Sequence, residues 1–321
     1  MYSRVCLWMK VVMINDCAFV GETLLKYMPE TFVKVHVKRG RGLLEKSVGL
    51  TLKILSCSGD IYHVHYLLQD AFIAGLLNKK PLVCHAHGSD LRSSLHHPIW
   101  GKVVKADLRM CDYVIVSTPD TLQVARRFRE DAQYVPNPVD FSVFYPKPMR
   151  RESEKKKVLI ASDSNWDVKG TDIAIKALSM IKDYVDVYII SHGRDFNKTL
   201  ALARKLGLQV WVLPKVPHEK MNQYYWSSDV VIDQFKLGSL GLVSLEGLAC
   251  GRPVVTYVSS QYNEYREFPL KDLQTVEEIA EAVIKADEKL WEAEYAYLIN
   301  NHHPQKIVDE ILRIYDKTRT H

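Results

Sequence analysis

No apolar run in the 321 residues approaches the roughly 18 needed to cross a membrane as a helix. The start, MYSRVCLWMKVVMIND, carries a basic residue and apolar ones but has no small-residue cleavage site, which argues against a signal peptide. Met9 opens a cleaner strand, so residues 1–8 read as an extension. The six cysteines (6, 17, 57, 84, 111 and 250) include no C-x-x-C pair. Neither a zinc site nor a disulfide frame is therefore expected, and the thiols read as reduced in a cytoplasmic protein. Low-complexity tracts, strict short repeats and nucleic-acid module motifs are missing too. What remains is globular: 47% hydrophobic and 25% charged residues, in a chain long enough for two domains with a core each.

The net charge of +5 is unevenly spread. Residues 1–146 hold 18 Lys and Arg against 13 Asp and Glu, whereas residues 147–321 hold 25 of each. The excess clusters in KVHVKRGRGLLEK (Lys34 to Lys46). Such a cluster is an ordinary solvated surface, a contact for an anionic lipid surface or phosphorylated acceptor, or a nucleic-acid patch. With no nucleic-acid motif, the last is the weakest reading.

Short β-branched runs alternate with helix-period segments through both halves. Strands are expected at 10–15, 32–37, 60–66, 81–87, 113–118 and 133–137, then at 158–162, 185–191, 209–214, 230–234 and 253–258. Helices are expected between them, among them 171–182, 195–206, 218–226, 242–250, 275–288 and 304–318. Alternation at this spacing implies α/β domains, each with a parallel sheet covered on both faces. The stretch VPNPVDFSVFYPKPMRRESEKKK (135–157) breaks the rhythm with four prolines and a charge run, and reads as a linker. The expected domains are 1–145 and 146–321, with the final helix 304–318 packing back on the first.

GLVSLEGLACGRPVV (241–255) sets one carboxylate, Glu246, in a run otherwise small or apolar. An ionised Glu in a desolvated setting needs a partner, because desolvation costs several kcal/mol. The helix from Leu242 offers its free N–H groups and positive dipole end to an anion.

The order HVHY, HAHGSD, VSTP, VPNPVDFSVFYP, KGTD, VPHEKM, GLVSLEGLACGRPVV resembles the retaining glycosyltransferases of the GT-B fold, family 4 type (glycosyl transferases group 1). The resemblance implies two Rossmann-like domains facing a central cleft. It implies a nucleotide-diphosphate sugar such as a UDP-sugar held by the second domain, and a saccharide or lipid-linked acceptor held by the first. No cofactor and no metal is expected, the nucleotide sugar being a substrate. By the same resemblance Lys169, in DVKGTD, binds the donor diphosphate, and Glu246 accepts the two ribose hydroxyls. Ser164, Val216, Gly238, Gly241, Leu242 and Val243 line the donor side. Two positions depart from the pattern. Gly238 stands where the family has a Glu eight residues before Glu246, and Ser164 where it has an Arg five residues before Lys169. Arg252 and Lys236 are candidates for the missing cation.

HVH (His63, His65) and HAH (His85, His87) each set two imidazoles on one face of a strand, at its carboxyl end. They form a metal site, plain packing, or a cleft lining. The metal reading lacks carboxylate ligands at convincing spacing. By the resemblance His87, in HGSD, faces the donor sugar and is catalytic, stabilising developing charge. His65, Asp90 and Gly21 are placed on the acceptor side, although Asp90 also suits a helix cap and Gly21 a helix start. The expected activity is a cytoplasmic, metal-independent hexosyltransferase, peripheral to the inner face of an anionic membrane. A sugar-nucleotide epimerase of the same fold, or a non-catalytic scaffold, is the alternative.

Overall fold

Strand–helix alternation resolves into two all-parallel sheets in the computed structural model, which describes residues 9–40, 42, 44–149 and 153–319. The extension 1–8, with Cys6, and residues 150–152 of the charged linker lie outside the described residues. The first sheet holds β1 (Met9–Ile14), β2 (Phe32–Val37), β3 (Ile61–His65), β4 (Leu82–Ala86), β5 (Tyr113–Val116) and β6 (Gln133–Tyr134), in the order β2-β1-β3-β4-β5-β6. The second holds β7 (Lys156–Ile160), β8 (Val185–Ile190), β9 (Val210–Leu213), β10 (Val230–Ile232) and β11 (Val254–Val255), in the order β11-β10-β7-β8-β9. Strand order reverses between β1 and β3 in one sheet and between β7 and β10 in the other. Ligands of open parallel sheets bind beyond the strand ends at such reversals.

One compact unit runs to Pro138 and takes in the chain again from His303, and the other is Val139–His302. The division thus falls a little before the expected 145/146, and the helix Pro304–Arg319 belongs to the first unit. In the first sheet Val12, Ile14, Val64, Cys84 and Ala86 point into one apolar core. Met13, His63, His65 and His85 alternate to the opposite face, where Tyr315 of the helix Pro304–Arg319 reaches His63.

Strand β6 is shorter than expected because Pro136 and Pro138 have no N–H to donate. Two helices went unforeseen, Trp100–Met110 and Glu288–His302. Each carries a carboxylate on its buried face, Asp107 and Glu294; Glu288–His302 has little apolar period, whereas Trp100–Met110 keeps a clear one. Among the described residues neither oxygen of Asp107 has a hydrogen-bond partner, and burial pushes its carboxyl up to about 9. Glu294 is raised as well by burial, and one of its oxygens accepts Val254 N–H at 2.9 Å.

The expectation of uniformly reduced thiols is corrected at one pair. Cys84 on β4 and Cys111, just before β5, are joined in a disulfide with Cα atoms 6.0 Å apart. Neighbouring strands bring together two cysteines 27 residues apart, a proximity that no C-x-x-C spacing advertises. Cys17, Cys57 and Cys250 are free.

Candidate active site

In the second unit the loop after β7 and the loop after β10 meet at the reversal of strand order. Lys169 Nζ lies 2.9 Å from Asp233 Oδ1, and the Asp233 side chain has no exposed surface. Its other oxygen accepts Ser244 Oγ at 2.8 Å, from the first turn of the helix Leu242–Ala249. Gly241, at the N-cap of that helix, has no room for a side chain, since a Cβ would collide with Asp233 Oδ2. A buried carboxylate therefore ties the lysine loop to the helix start. Asp233 was not among the residues expected at the site from sequence. Its signal was positional, as the first residue beyond the strand next to the reversal.

Glu246 sits one turn into the same helix and is 6% exposed. Its partners are protein groups: Tyr225 Oη donates to Oε2 at 2.8 Å, and His218 Nε2 pairs with Oε1 at 2.7 Å. The premise of a carboxylate without a protein partner is thereby corrected. Burial alone would lower the His218 pKa, but the hydrogen bond and charge of Glu246 outweigh it and raise the pKa. Burial and Glu246 together push the Tyr225 hydroxyl up. Val216, Leu242 and Val243 are half-buried nearby in the chain.

The two departures have local physical reasons. Gly238 adopts φ +63°, and a Cβ there would press to 3.0 Å on Ser259 Cβ and 3.2 Å on Tyr257. Ser164 is fully buried, with its N–H donating to the His192 carbonyl at 2.8 Å and its backbone packed against Gly193. Arg252 is no substitute cation. It is 2% exposed and its guanidinium donates to the carbonyls of Lys147, Cys250, Gly251 and Trp226. Lys236 stays exposed, its stem beside Gly170.

In the first unit the reversal between β1 and β3 gathers Asp16, Gly21 and His65. Asp16 accepts the N–H groups of Gly21 (2.8 Å) and Glu22 (3.0 Å) at the start of the helix Val20–Tyr27. Burial raises its pKa, and those two N–H groups counter the rise. A Cβ on Gly21 would lie 3.0 Å from His65 Nε2. The four histidines form one stacked layer, with His85 and His87 centroids 4.4 Å apart. Tyr315 Oη and His63 Nδ1 are 2.7 Å apart, His63 Nε2 and His85 Nδ1 3.2 Å, and His65 Nδ1 and His87 Nε2 2.7 Å. His85 Nε2 and His87 Nδ1 find no hydrogen-bond partner among the described residues. Burial, before any neighbour, drives all four pKa values down, that of His63 to about 3. The layer is neutral at pH 7. One ring nitrogen each of His63, His65 and His85 lies within 4.8 Å of the others, as do ligand atoms of Asp16, Glu22 and His36.

Of the two roles open to Asp90 in the sequence, its hydrogen bonds fit the local one at the turn and helix start. It is fully buried, and its carboxylate accepts the N–H groups of Leu67, His87, Gly88 and Leu91 at 2.9–3.3 Å. With both oxygens so engaged, it holds the HGSD turn in shape and presents nothing to an acceptor.

Two Rossmann-like units, each with ionisable groups at its strand-order reversal, define a two-unit α/β protein. A family model described as "Glycosyl transferases group 1" matches residues 147–268, and one described as "Glycosyltransferase Family 4" matches 30–143. The chain belongs to the group 1 glycosyltransferases of the GT-B fold. It is similar to N-acetyl-alpha-D-glucosaminyl L-malate synthase of Bacillus anthracis, 26% identical over 212 residues, which cover 61% of this chain and 56% of that protein. It also resembles D-inositol 3-phosphate glycosyltransferase of Arthrobacter sp. (strain FB24), 26% identical over 227 residues, covering 61% of this chain and 53% of that one. The chain thus spans a little over half the length of these curated relatives. Among solved structures, HepE of Anabaena in complex with UDP superposes with a TM-score of 0.72 at 15% identity, covering 96% of this chain and all of that one. Sucrose-phosphate synthase of Thermosynechococcus elongatus gives 0.73 at 15% identity, covering 96% and 98%.

Proposed function

We propose that the chain is a retaining glycosyltransferase that moves a hexosyl group from a nucleoside-diphosphate sugar to a saccharide or lipid-linked acceptor, without a metal. The observation that carries this reading is the Lys169–Asp233 pair at the β7/β10 reversal, beside the start of the helix that bears Glu246. A cation and the N–H groups of a helix start suit a diphosphate, and a carboxylate one turn further suits ribose hydroxyls. UDP is the favoured nucleotide, because HepE was solved with UDP and with UDP-glucose.

In this mechanism the C–O bond between anomeric carbon and diphosphate breaks as the acceptor hydroxyl adds on the same face. The leaving diphosphate takes the acceptor's proton, so no protein nucleophile is required. Lys169 offsets the charge that grows on the diphosphate, and neutral His87 supplies a hydrogen bond at the sugar. The basic first half supports peripheral contact with an anionic membrane on the cytoplasmic side, where a lipid-linked acceptor lies.

A non-catalytic scaffold is the rival, favoured by Gly238 and Ser164, which leave two of the family's charged positions empty. Incubation with UDP-glucose, UDP-N-acetylglucosamine and GDP-mannose separates the two. Slow hydrolysis or transfer with retained anomeric configuration supports the proposal. Thermal stabilisation by nucleotides without turnover supports the scaffold, and neither response sinks both.

A further inference from the structure

The helical run from Leu44 to Ser56 begins with a wide, π-type turn (Glu45–Gly49) and continues as an α-helix (Leu50–Ser56). Four of its large apolar side chains face water: Leu44 is 76% exposed, Val48 56%, Leu52 59% and Leu55 56%. Steps of four, four and three residues put them in one stripe along the helix. The opposite face is firmly seated, with Leu50 and Ile54 fully buried in the core of the first unit. Both ends are fixed as well. Gln69 Nε2 donates to the Lys46 carbonyl at 2.7 Å, and Lys79 Nζ donates to those of Leu55 and Cys57 at 3.1 and 2.7 Å. A frayed helix exposes apolar groups incidentally, but this one is held so that the stripe points outward.

Charge decides what covers such a stripe. Residues 34–56 contain six Lys and Arg against one carboxylate, Glu45, and Lys46 and Lys53 are exposed on the helix itself. Three of those cations are paired with carboxylates, Lys38 with Glu22, Arg39 with Asp70 and Lys53 with Glu45, so the rim is mixed with a positive excess. Contiguous exposed apolar surface marks an interaction site, and that excess favours an anionic partner. We infer that the helix 44–56 is an interfacial membrane-binding element that lays Leu44, Val48, Leu52 and Leu55 into an anionic bilayer while the surrounding cations meet its headgroups. The inference rests on the membrane contact proposed above and not on the transferase activity.

The full chain is sedimented with vesicles of phosphatidylcholine alone or mixed with phosphatidylglycerol, with no sugar nucleotide present. The wild type is expected in the pellet with the mixed vesicles. Val48→Ser with Leu52→Ser lowers the bound fraction about tenfold or more, since both interfacial contributions are needed for stable attachment. Lys46→Gln with Lys53→Gln removes most of the preference for anionic lipid. All these positions are exposed, so unchanged melting temperatures confirm folded variants. Failure of the wild type to bind mixed vesicles, or binding untouched by the serine substitutions, overturns the inference. So does a vesicle-free dimer that the serine substitutions dissolve, which assigns the stripe to a second copy. Transfer to a soluble acceptor by a protein that ignores vesicles leaves the transferase reading standing and removes this one.

Discussion

Lys169 Nζ and Asp233 Oδ1 are 2.9 Å apart, one side chain partly exposed and the other wholly enclosed. Lys169 is thus the counter-ion of an enclosed carboxylate, and part of the lysine side chain stays exposed.

Lys169→Ala is expected to weaken nucleoside-diphosphate binding by roughly 1.5–3 kcal/mol, the range for charge-assisted hydrogen bonds, and to leave nucleoside binding nearly unchanged. It also strips a buried carboxylate of its counter-ion, so the melting temperature falls with it. Asp233→Asn should restore stability to the alanine variant without restoring diphosphate affinity. Calorimetry with both ligands, beside thermal melts, checks the three outcomes; equal loss for nucleoside and diphosphate would move Lys169 off the phosphate.

Glu246 accepts from Tyr225 Oη and pairs with His218 before any ligand arrives. Glu246→Gln turns one acceptor oxygen into a donor facing one of them. A loss of about 1–3 kcal/mol of stability is expected, the cost of an unmet buried polar group. A donor role adds a second result, in which 2′-deoxy nucleotide binds the wild type poorly and loses little more in the variant. Equal losses for ribo and deoxyribo ligands leave Glu246 as a structural residue only.

His218 carries a pKa above its ordinary 6.5. Its pairing with Glu246 stabilises the fold fully below pH 6.5 and is lost as pH rises through the raised value. Thermal melts across that window should show a downward slope with pH that His218→Ala removes. A slope that survives the substitution belongs to another group.

The histidine layer works in the opposite sense. Its members are held neutral, with His63 brought to about 3 from 6.5, so the unfolded chain binds more protons between those values. Stability is present above pH 6.5 and drains as pH falls, by up to about 1.4 kcal/mol per pH unit for each histidine. Acid titration followed by circular dichroism should show early loss of structure, and His63→Phe should flatten the curve by close to one proton. An unchanged curve means His63 is already protonated in the fold.

Asp107 is raised from 3.8 to about 9, so the folded state holds its proton and loses stability as pH climbs between those values. Asp107→Asn removes that titration, so its stability should gain on the wild type as pH rises between those values, by up to about 1.4 kcal/mol per pH unit. Denaturant melts at acid and alkaline pH measure the gap. A constant difference rules out a buried neutral acid.

The parts legible in sequence share a physical cause. Val158, Ile160, Val187 and Val230 are β-branched and lie inside a sheet covered on both faces, so composition alone marks their strands. Lys169, Glu246 and His87 are proposed as site residues through a resemblance in order and spacing. Contacts between distant segments were not legible. Asp233 meets Lys169 only because two loops share a strand-order reversal, and Cys84 meets Cys111 only because β4 and β5 are neighbours. Of the helices missed, Glu288–His302 buries Glu294 and has little apolar period to read, whereas Trp100–Met110 keeps its period despite Asp107 and was legible. Asp90 looked like a ligand contact because a carboxylate in a turn has the same signature whether it faces solvent or four backbone N–H groups.

The first unit is discontinuous, closing on a helix that arrives only after Val139–His302 has been made. During synthesis the second unit emerges as one uninterrupted stretch and can complete its core while the first still waits for its lid. Until Tyr315 appears, His63 lacks the hydroxyl that it meets at 2.7 Å, and the imidazole layer stands open to water. The first unit therefore completes its second sheet face only once residues 303–319 have been made, after the whole of the second unit.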